Sequence, residues 1–318
     1  MSETPQRILV TGASGFVGRR LVAALAARFP DARVIRTDRA GDAPGPGEPR
    51  ALDILDAKAV DALIADIKPD ALIHLAALAA VQDSVRDPRS TWQVNVMGTL
   101  EMVMAVQKHA PDCHFLYVSS AEVYGRTAFS GDPVMEEMLL QPQNPYAASK
   151  AAADLLVREA AGRGLHATIV RPFNHTGPGQ DDRFVIPAFC SQVARIEKGL
   201  QPPEMLVGEL NDERDFLSAD DVVDLYVKVI EAGRRLPPGL VLNAASGISR
   251  RIGGILDTIL AASTMTIAVK VDPSRLRAVR IPRIVGDASR ALDVLGWKPV
   301  KPFNEMLFET LAYWRTQV

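Results

Sequence analysis

The feature that most constrains this chain is an apolar run, RILVTG at 7–12, that breaks into glycines and restarts as a helical pattern, FVGRRLVAALAARF at 16–29. A second apolar run, ARVIRTD at 32–38, follows at once. Runs of this kind are apolar throughout rather than alternating, so both their faces must be covered. A chain that alternates such strands with helices folds as a parallel sheet between two helical layers.

The alternation continues. DALIHLAA (70–77), CHFLYVSS (113–120), HATIVRP (166–172) and GLVLNAAS (239–246) read as further buried strands. Helical patterns lie at about 56–66, 88–109, 146–162 and 220–233. GDAPGPGEP (41–49) reads as a solvated loop, because Gly and Pro interrupt both periods. After Pro172 the pattern loosens, with prolines at 178, 187, 202 and 203. The expected fold is α/β: a Rossmann-type doubly wound parallel sheet with a smaller C-terminal α/β lobe for substrate. Residues 1–172 form the first domain, with 215–246 returning to it, and 173–214 with 247–318 form the second lobe.

TGASGFVG (11–18) closes the first strand and opens the first helix. Gly12 permits a tight turn, Gly15 lets backbone approach a diphosphate, and Gly18 allows the helix to pack close on the strand. The helix then offers N–H groups and its positive dipole end to phosphates. The strand–turn–helix context is what gives the glycine spacing its meaning. Asp38, at the end of the second strand, suits the hydroxyls of an adenosine ribose and repels a 2′-phosphate, which favours NAD(H). The neighbouring Arg39 suits such a phosphate, so NADP(H) stays open.

Composition excludes several classes. The net charge is −2, with 36 basic and 38 acidic residues interspersed, unlike the basic stripe of a nucleic-acid binder. No apolar run approaches the ~20 residues a membrane helix needs. The start, MSETPQRILV, has no basic region leading into an apolar one, so no signal peptide is expected. Cys113 and Cys190 are the only cysteines, and the histidines at 74, 109, 114, 166 and 175 lack metal-ligand spacing. A cytoplasmic protein without a metal is expected.

NPYAASK (144–150) places Tyr146 and Lys150 four residues apart, on one face of a helix. A free phenol, with a pKa near ~10, is a poor proton donor or acceptor at neutral pH. A nearby ammonium lowers that value, and the phenol can then exchange a proton with a carbonyl oxygen. Ser120 ends the strand CHFLYVSS and would hold the same oxygen, because ligands of parallel sheets collect at the carboxyl ends of strands. Ser120, Tyr146 and Lys150 are therefore the candidate catalytic residues.

With these segments in hand, the chain resembles the extended short-chain dehydrogenase/reductase family, in its sugar-nucleotide branch, over nearly its whole length. TGASGFVG, HLAA (74–77), WQVNVMGT (92–99), SSAEVYG (119–125), NPYAASK, RPFNHTGPGQ (171–180) and ERDFLSADDVV (213–223) carry the resemblance. RPFNHTGPGQ, VARIEKG, RDF and DPSRLR…PRIVGD are most similar to GDP-4-keto-6-deoxy-mannose reductases, which form GDP-D-rhamnose. The resemblance implies a cofactor site of Gly12, Ser14, Gly15, Phe16, Val17 and Gly18, with Asp38 and Arg39. It adds Asp53 and Ile54, then Leu75, Ala76 and Ala77, and finally Tyr146 and Lys150. For the sugar nucleotide it implies Ser120, Glu122 and Asn174, with Arg214 and Arg277 at the diphosphate. His175 would line the nicotinamide side or pack in its loop.

Departures from the pattern bear on the reaction. Dehydratases of the branch usually set an acid–base pair directly after the catalytic hydroxyl residue, whereas here Ala121 precedes Glu122. Glu209, Ala278 and Arg280 also depart from the similar reductases. The expected reaction is reduction of a 4-keto sugar nucleotide by NADH or NADPH. A 4-epimerase or 4,6-dehydratase that keeps its cofactor is the alternative. A non-catalytic sensor of the same fold usually lacks the Tyr or the Lys, and both are present. A homodimer through helices 88–109 and 146–162 is expected, unless those helices only cover their own sheet.

Overall fold

The computed structural model describes residues 4–276 and 281–318. Among these described residues thirteen strands run in chain order: β1 (Arg7–Thr11), β2 (Arg33–Asp38), β3 (Glu48–Ala51), β4 (Ala71–His74), β5 (His114–Val118), β6 (Ala167–Pro172), β7 (Asn174–Thr176), β8 (Glu204–Val207), β9 (Glu213–Ser218), β10 (Leu240–Ala244), β11 (Ser249–Arg251), β12 (Ala268–Val271) and β13 (Arg283–Ile284). Seven of them build one parallel sheet in the order β10-β6-β5-β4-β1-β2-β3. The order reverses between β1 and β4, where sheets of this kind open a crevice for ligands.

Helices α1 (Phe16–Arg28), α2 (Ala57–Ile67), α3 (Val81–Arg86), α4 (Pro88–Trp92), α5 (Gly98–His109), α6 (Pro145–Gly162), α7 (Val185–Glu197) and α8 (Ala219–Ala232) alternate with the strands. Side chains of a strand point alternately to its two faces. On β1, Ile8 and Val10 accordingly enter one core with Leu21 and Leu25 of α1 and Leu225 of α8. Leu9 enters the other, with Ile64 of α2, Val106 of α5 and Val157 of α6. This is the doubly wound sandwich that the continuous apolar runs require.

A third core collects Phe189 and Val193 of α7, Phe216 of β9, and residues of α9 (Ile252–Ala261) and α11 (Phe303–Gln317). It supports two small sheets, β11-β9-β13 with β7 alongside β9, and β12-β8. β9 belongs to the smaller sheet, but its Leu217 already enters the large core, which α8 continues with Val222 and Leu225. The last short helix, α10 (Ser289–Leu295), lies between these parts in sequence.

Two local features differ from the sequence reading, and a third was not read there. Glu48 and Pro49, the end of the expected loop 41–49, begin the edge strand β3, and an edge tolerates Pro49 because one side of it needs no ladder bond. The helix expected over 88–109 is interrupted by a π-turn, Gln93–Met97, between α4 and α5. Residues Ala121–Ser130 form 3-10 turns, bent at Gly125, whose φ is 50°. No helix among the described residues is long and apolar enough to cross a membrane.

Candidate active site

The glycine loop lies where β1 and β4 diverge. Gly12 has φ 70°, and a Cβ there would stand 2.7 Å from the Ala76 nitrogen of the β4 exit. A Cβ on Gly18 would stand 2.3 Å from the Gly12 carbonyl oxygen. Both positions therefore admit only glycine, for the reasons of turn and close packing that the spacing suggested. Gly15 is the residue before α1, and no side chain caps the amides there. The helices after Asp56, Asn144 and Ser218 are capped by those side chains. An uncapped helix start over a bare glycine floor fits a diphosphate. Ser14 and Phe16 are half-buried beside it, Val17 packs against the core, and Ser14 accepts a 2.8 Å bond from Arg19 on its carbonyl.

A polar chain crosses the crevice beneath this loop. The Ala76 amide donates to the Thr11 hydroxyl at 3.2 Å, and Thr11 lies 2.8 Å from Nδ1 of His74. Nε2 of His74 lies 3.1 Å from the Thr99 hydroxyl, which donates to the Asn95 carbonyl at 2.8 Å. Thr99 has committed its proton to Asn95, so His74 carries its proton on Nε2 and accepts from Thr11 on Nδ1. Burial, with help from the Lys150 charge, lowers the His74 pKa to about 3, so the ring is neutral. Asn95 sits in the π-turn, where such turns often serve a site. Its amide holds both the N–H and the carbonyl of Leu78, and donates to Ser149 at 2.9 Å. Sequence reading missed Thr11, Thr99 and the part played by Asn95. The only signal was the polar residues in VTG and WQVNVMGT, which periodicity does not resolve.

β5 delivers Ser120 to the carboxyl edge of the sheet. Its hydroxyl accepts from the Glu122 amide at 3.2 Å. α6 begins at Pro145, capped by Asn144, whose Oδ1 accepts from the Ala147 amide at 2.8 Å. Asn144 also donates to Oε2 of Glu122 at 3.2 Å, tying the serine segment to the start of the tyrosine helix. Tyr146 is half-buried, and its amide donates to Ser84 of α3 at 3.2 Å. Burial pushes its phenol up to about 12, the hydrogen bond with Ser120 opposes that, and the Glu122 charge adds to it. Ser120, Glu122 and Tyr146 therefore share one small space.

Lys150 lies one turn further along α6, with its ammonium 2.6 Å from the Val118 carbonyl and 4.7 Å from the centre of the Tyr117 ring. Burial lowers its pKa to about 7, against the pull of Asp154. The expected acidification of Tyr146 by Lys150 is not what this arrangement gives. The ammonium is turned toward β5, and burial governs the phenol.

The remaining candidates spread outward. Asp38 ends β2 half-buried, with Oδ1 accepting the Gly41 amide at 2.6 Å; Arg39 beside it is exposed. Asp53 is exposed and accepts the Leu55 amide at 3.0 Å, while the Ile54 side chain is buried in the core near Gly98. Leu75, Ala76 and Ala77 leave β4 half-buried, facing the glycine loop through the Thr11 contacts.

Asn174 begins β7, half-buried. His175 follows, its Nδ1 2.9 Å from the Phe173 carbonyl and its ring parallel to Phe16. Arg214 on β9 is buried and donates to Asp212 at 3.2 Å and to the Glu213 carbonyl at 2.8 Å. Directly across the ladder is Arg250, a second guanidinium that the sequence reading did not single out. Its Nε is buried without a partner, and its Cζ stands 4.0 Å over the Phe303 ring. Arg277 lies outside the described residues, as do Ala278 and Arg280. No group of three His, Cys, Asp or Glu among the described residues is arranged to hold a metal ion.

A glycine loop at the point where the strand order reverses, with a serine, a tyrosine and a lysine at the same edge of the sheet, defines a class: NAD(P)-dependent short-chain dehydrogenases/reductases. The chain belongs to the extended nucleotide-sugar epimerase/dehydratase family of that class; a family model described as GDP-mannose 4,6 dehydratase matches residues 9–310. The GDP-6-deoxy-D-mannose reductase of Pseudomonas aeruginosa is 35% identical over 314 residues, covering 98% of this chain and 98% of its own. Among solved structures, RMD from Pseudomonas aeruginosa complexed with NADPH superposes with a TM-score of 0.85 at 34% identity, over 98% of this chain and 100% of that one. The UDP-glucose 4-epimerase of Thermus thermophilus, in complex with NAD, gives 0.85 at 26% identity over the same shares.

Proposed function

We propose that the protein reduces the 4-keto group of a nucleotide-linked 4-keto-6-deoxy sugar, with GDP-4-keto-6-deoxy-D-mannose as the substrate and GDP-D-rhamnose as the product. One observation carries this reading. Ser120 and Glu122 are the groups that act on the Tyr146 phenol, and the position between them is Ala121, packed in the core. Reduction of a ketone needs one proton donor at the oxygen. Elimination of water from the sugar needs a further acid–base pair, and Ala121 stands where dehydratases of the branch usually begin theirs.

A nicotinamide dinucleotide over the glycine loop would supply the hydride. Gly12, Ser14, Gly15, Phe16, Val17 and Gly18 would hold its diphosphate, and Asp38 its adenosine ribose, which favours NADH. The exposed Arg39 and the NADPH carried by the Pseudomonas relative support NADPH instead. Asp53, Ile54, Leu75, Ala76 and Ala77 would line the adenine and ribose side. Tyr146 gives its proton to the oxygen as charge develops on it, and Ser120 donates a hydrogen bond to the same atom. Donors fixed in advance at that atom supply most of the rate. Lys150 would hold the nicotinamide ribose. Asn174 orients the sugar, and Arg214 and Arg277 meet the diphosphate, a task suited to guanidinium forks.

The second reading is a 4-epimerase or 4,6-dehydratase that oxidises and then re-reduces its sugar. Glu122, held by Asn144 beside the phenol, is the observation that favours it. Purified protein is mixed with the keto sugar nucleotide and reduced cofactor. A reductase consumes one dihydronicotinamide per sugar converted. Conversion without net consumption rejects the proposal in favour of the second reading.

We also infer a homodimer. Trp92, Met97, Met104 and Leu155 lie on the adjoining α4, π-turn, α5 and α6, each between 44% and 54% exposed. A second copy laid on this face would bury them in a four-helix interface. Met104→Glu should shift the mass in light scattering to that of one chain. A native mass of one chain would refute the dimer.

A further inference from the structure

Beside the reacting groups lies a buried assembly centred on Arg171, which is 0% exposed, as is Asp154. Nε and Nη2 of Arg171 each donate to the Asp154 carboxylate at 2.9 Å. Nη1 donates to the Tyr124 hydroxyl at 3.1 Å and to the Glu136 carbonyl at 2.9 Å. Tyr124 passes its own proton to Asn243 of β10 at 2.7 Å. Asp154 belongs to α6, which carries Tyr146 and Lys150. Tyr124 belongs to the segment that follows Ser120. One guanidinium on β6 thus joins the two halves of the catalytic edge.

Stability alone is a poor account of this pair. Replacing a buried ion pair by apolar residues of similar volume is often neutral or stabilising. The position of Asp154, one helical turn past Lys150 and on the same face, suggests what the pair does.

We propose that Asp154, fixed by Arg171, is a positioning residue for Lys150, keeping its ammonium charged under the catalytic edge while Arg171 keeps α6 in register with the Ser120 segment. The inference rests on the assignment of Tyr146 and Lys150 to the reaction. Around Lys150 stand Tyr117 of β5, His74 of β4 and Asp154 of α6, the last paired with Arg171 of β6. The phenol and the imidazole are neutral, so of these groups only Asp154 carries a charge that opposes the ammonium, and Arg171 shares it. With that charge removed, burial alone acts on Lys150 and its proton is lost at lower pH.

The test follows the ¹³Cε resonance of Lys150, assigned by its absence in Lys150→Arg, as pH is raised. Asp154→Asn should move the midpoint about one pH unit or more below the native one. Because that change strands the Arg171 charge, Asp154→Asn is also combined with Arg171→Met, which removes both charges and should move the midpoint down by less. Tyr124→Phe breaks the hydroxyl contacts, leaves the carboxylate, and should leave the midpoint in place. A native midpoint in Asp154→Asn or in the double variant overturns the proposal and leaves the assembly a structural one. No sugar enters the measurement, so an error in the proposed substrate would not disturb it.

Discussion

The Lys150 ammonium is bonded to the Val118 carbonyl, 2.6 Å away at the end of the strand that delivers Ser120. A helix residue is thereby fastened to the carboxyl edge of the sheet, with its charge buried over the Tyr117 ring. That charge carries a cost in the folded state, because its pKa falls to about 7 while an unfolded lysine keeps its ordinary value. Between those values the unfolded chain binds more protons, so this residue makes stability rise with pH across the window. Below about pH 7 its burden is complete. Lys150→Met should therefore raise the melting temperature by a few degrees at pH 6, with a smaller gain at pH 9, while cofactor binding weakens. Thermal unfolding of both proteins at the two pH values checks this, and a variant that melts lower at pH 6 would refute it.

Two buried histidines set the acid limit. His74 and His114 are lowered to about 3, both chiefly by burial. Their folded values lie below the unfolded one, so the unfolded chain takes up protons first as pH falls from about 6.5. Stability contributed above that pH is lost on the way down toward 3. Each ring steepens the fall by up to about 1.4 kcal/mol per pH unit. Urea midpoints measured from pH 7 to pH 4 should show a shallower decline in His114→Gln than in the native protein. Identical slopes would exclude His114 as a source.

Gly18→Ala sets a methyl group 2.3 Å from the Gly12 carbonyl oxygen and 2.8 Å from the Ala13 backbone, with no flexible side chain there to move. Overpacking of this kind costs about 1–3 kcal/mol. The loop must open to accept it, so cofactor affinity, read by dihydronicotinamide fluorescence, should drop at least tenfold. Gly162→Ala, where nothing lies within 4 Å, is the control and should bind as the native protein does.

The doubly wound sheet was legible because continuous apolar strands leave no other way to be covered. The glycine loop was legible because each glycine answers a steric demand of its own. Ser120, Tyr146 and Lys150 were legible as a set only once the loop and the strand ends gave them a common place. What escaped has physical reasons. β3 carries a proline and follows a run of glycines that reads as loop, and only its position at the sheet edge makes it a strand. The π-turn at Asn95 is drawn out by contacts to Leu78 and Ser149, residues distant in sequence. The direction of the Lys150 side chain is set by a carbonyl of β5, and no helix pattern encodes that. Arg171 reads as part of a family motif, but its grip on Asp154 depends on two elements meeting in space.

The central claim is that Tyr146 gives the proton to the ketone oxygen. It is tested most directly by single-turnover reduction of the keto sugar nucleotide with native protein and Tyr146→Phe, with cofactor affinity measured on both. The expected result is a chemical step slowed by about 10²–10⁴-fold in a variant that still binds the cofactor. A phenylalanine variant that reduces the sugar at the native rate would contradict it.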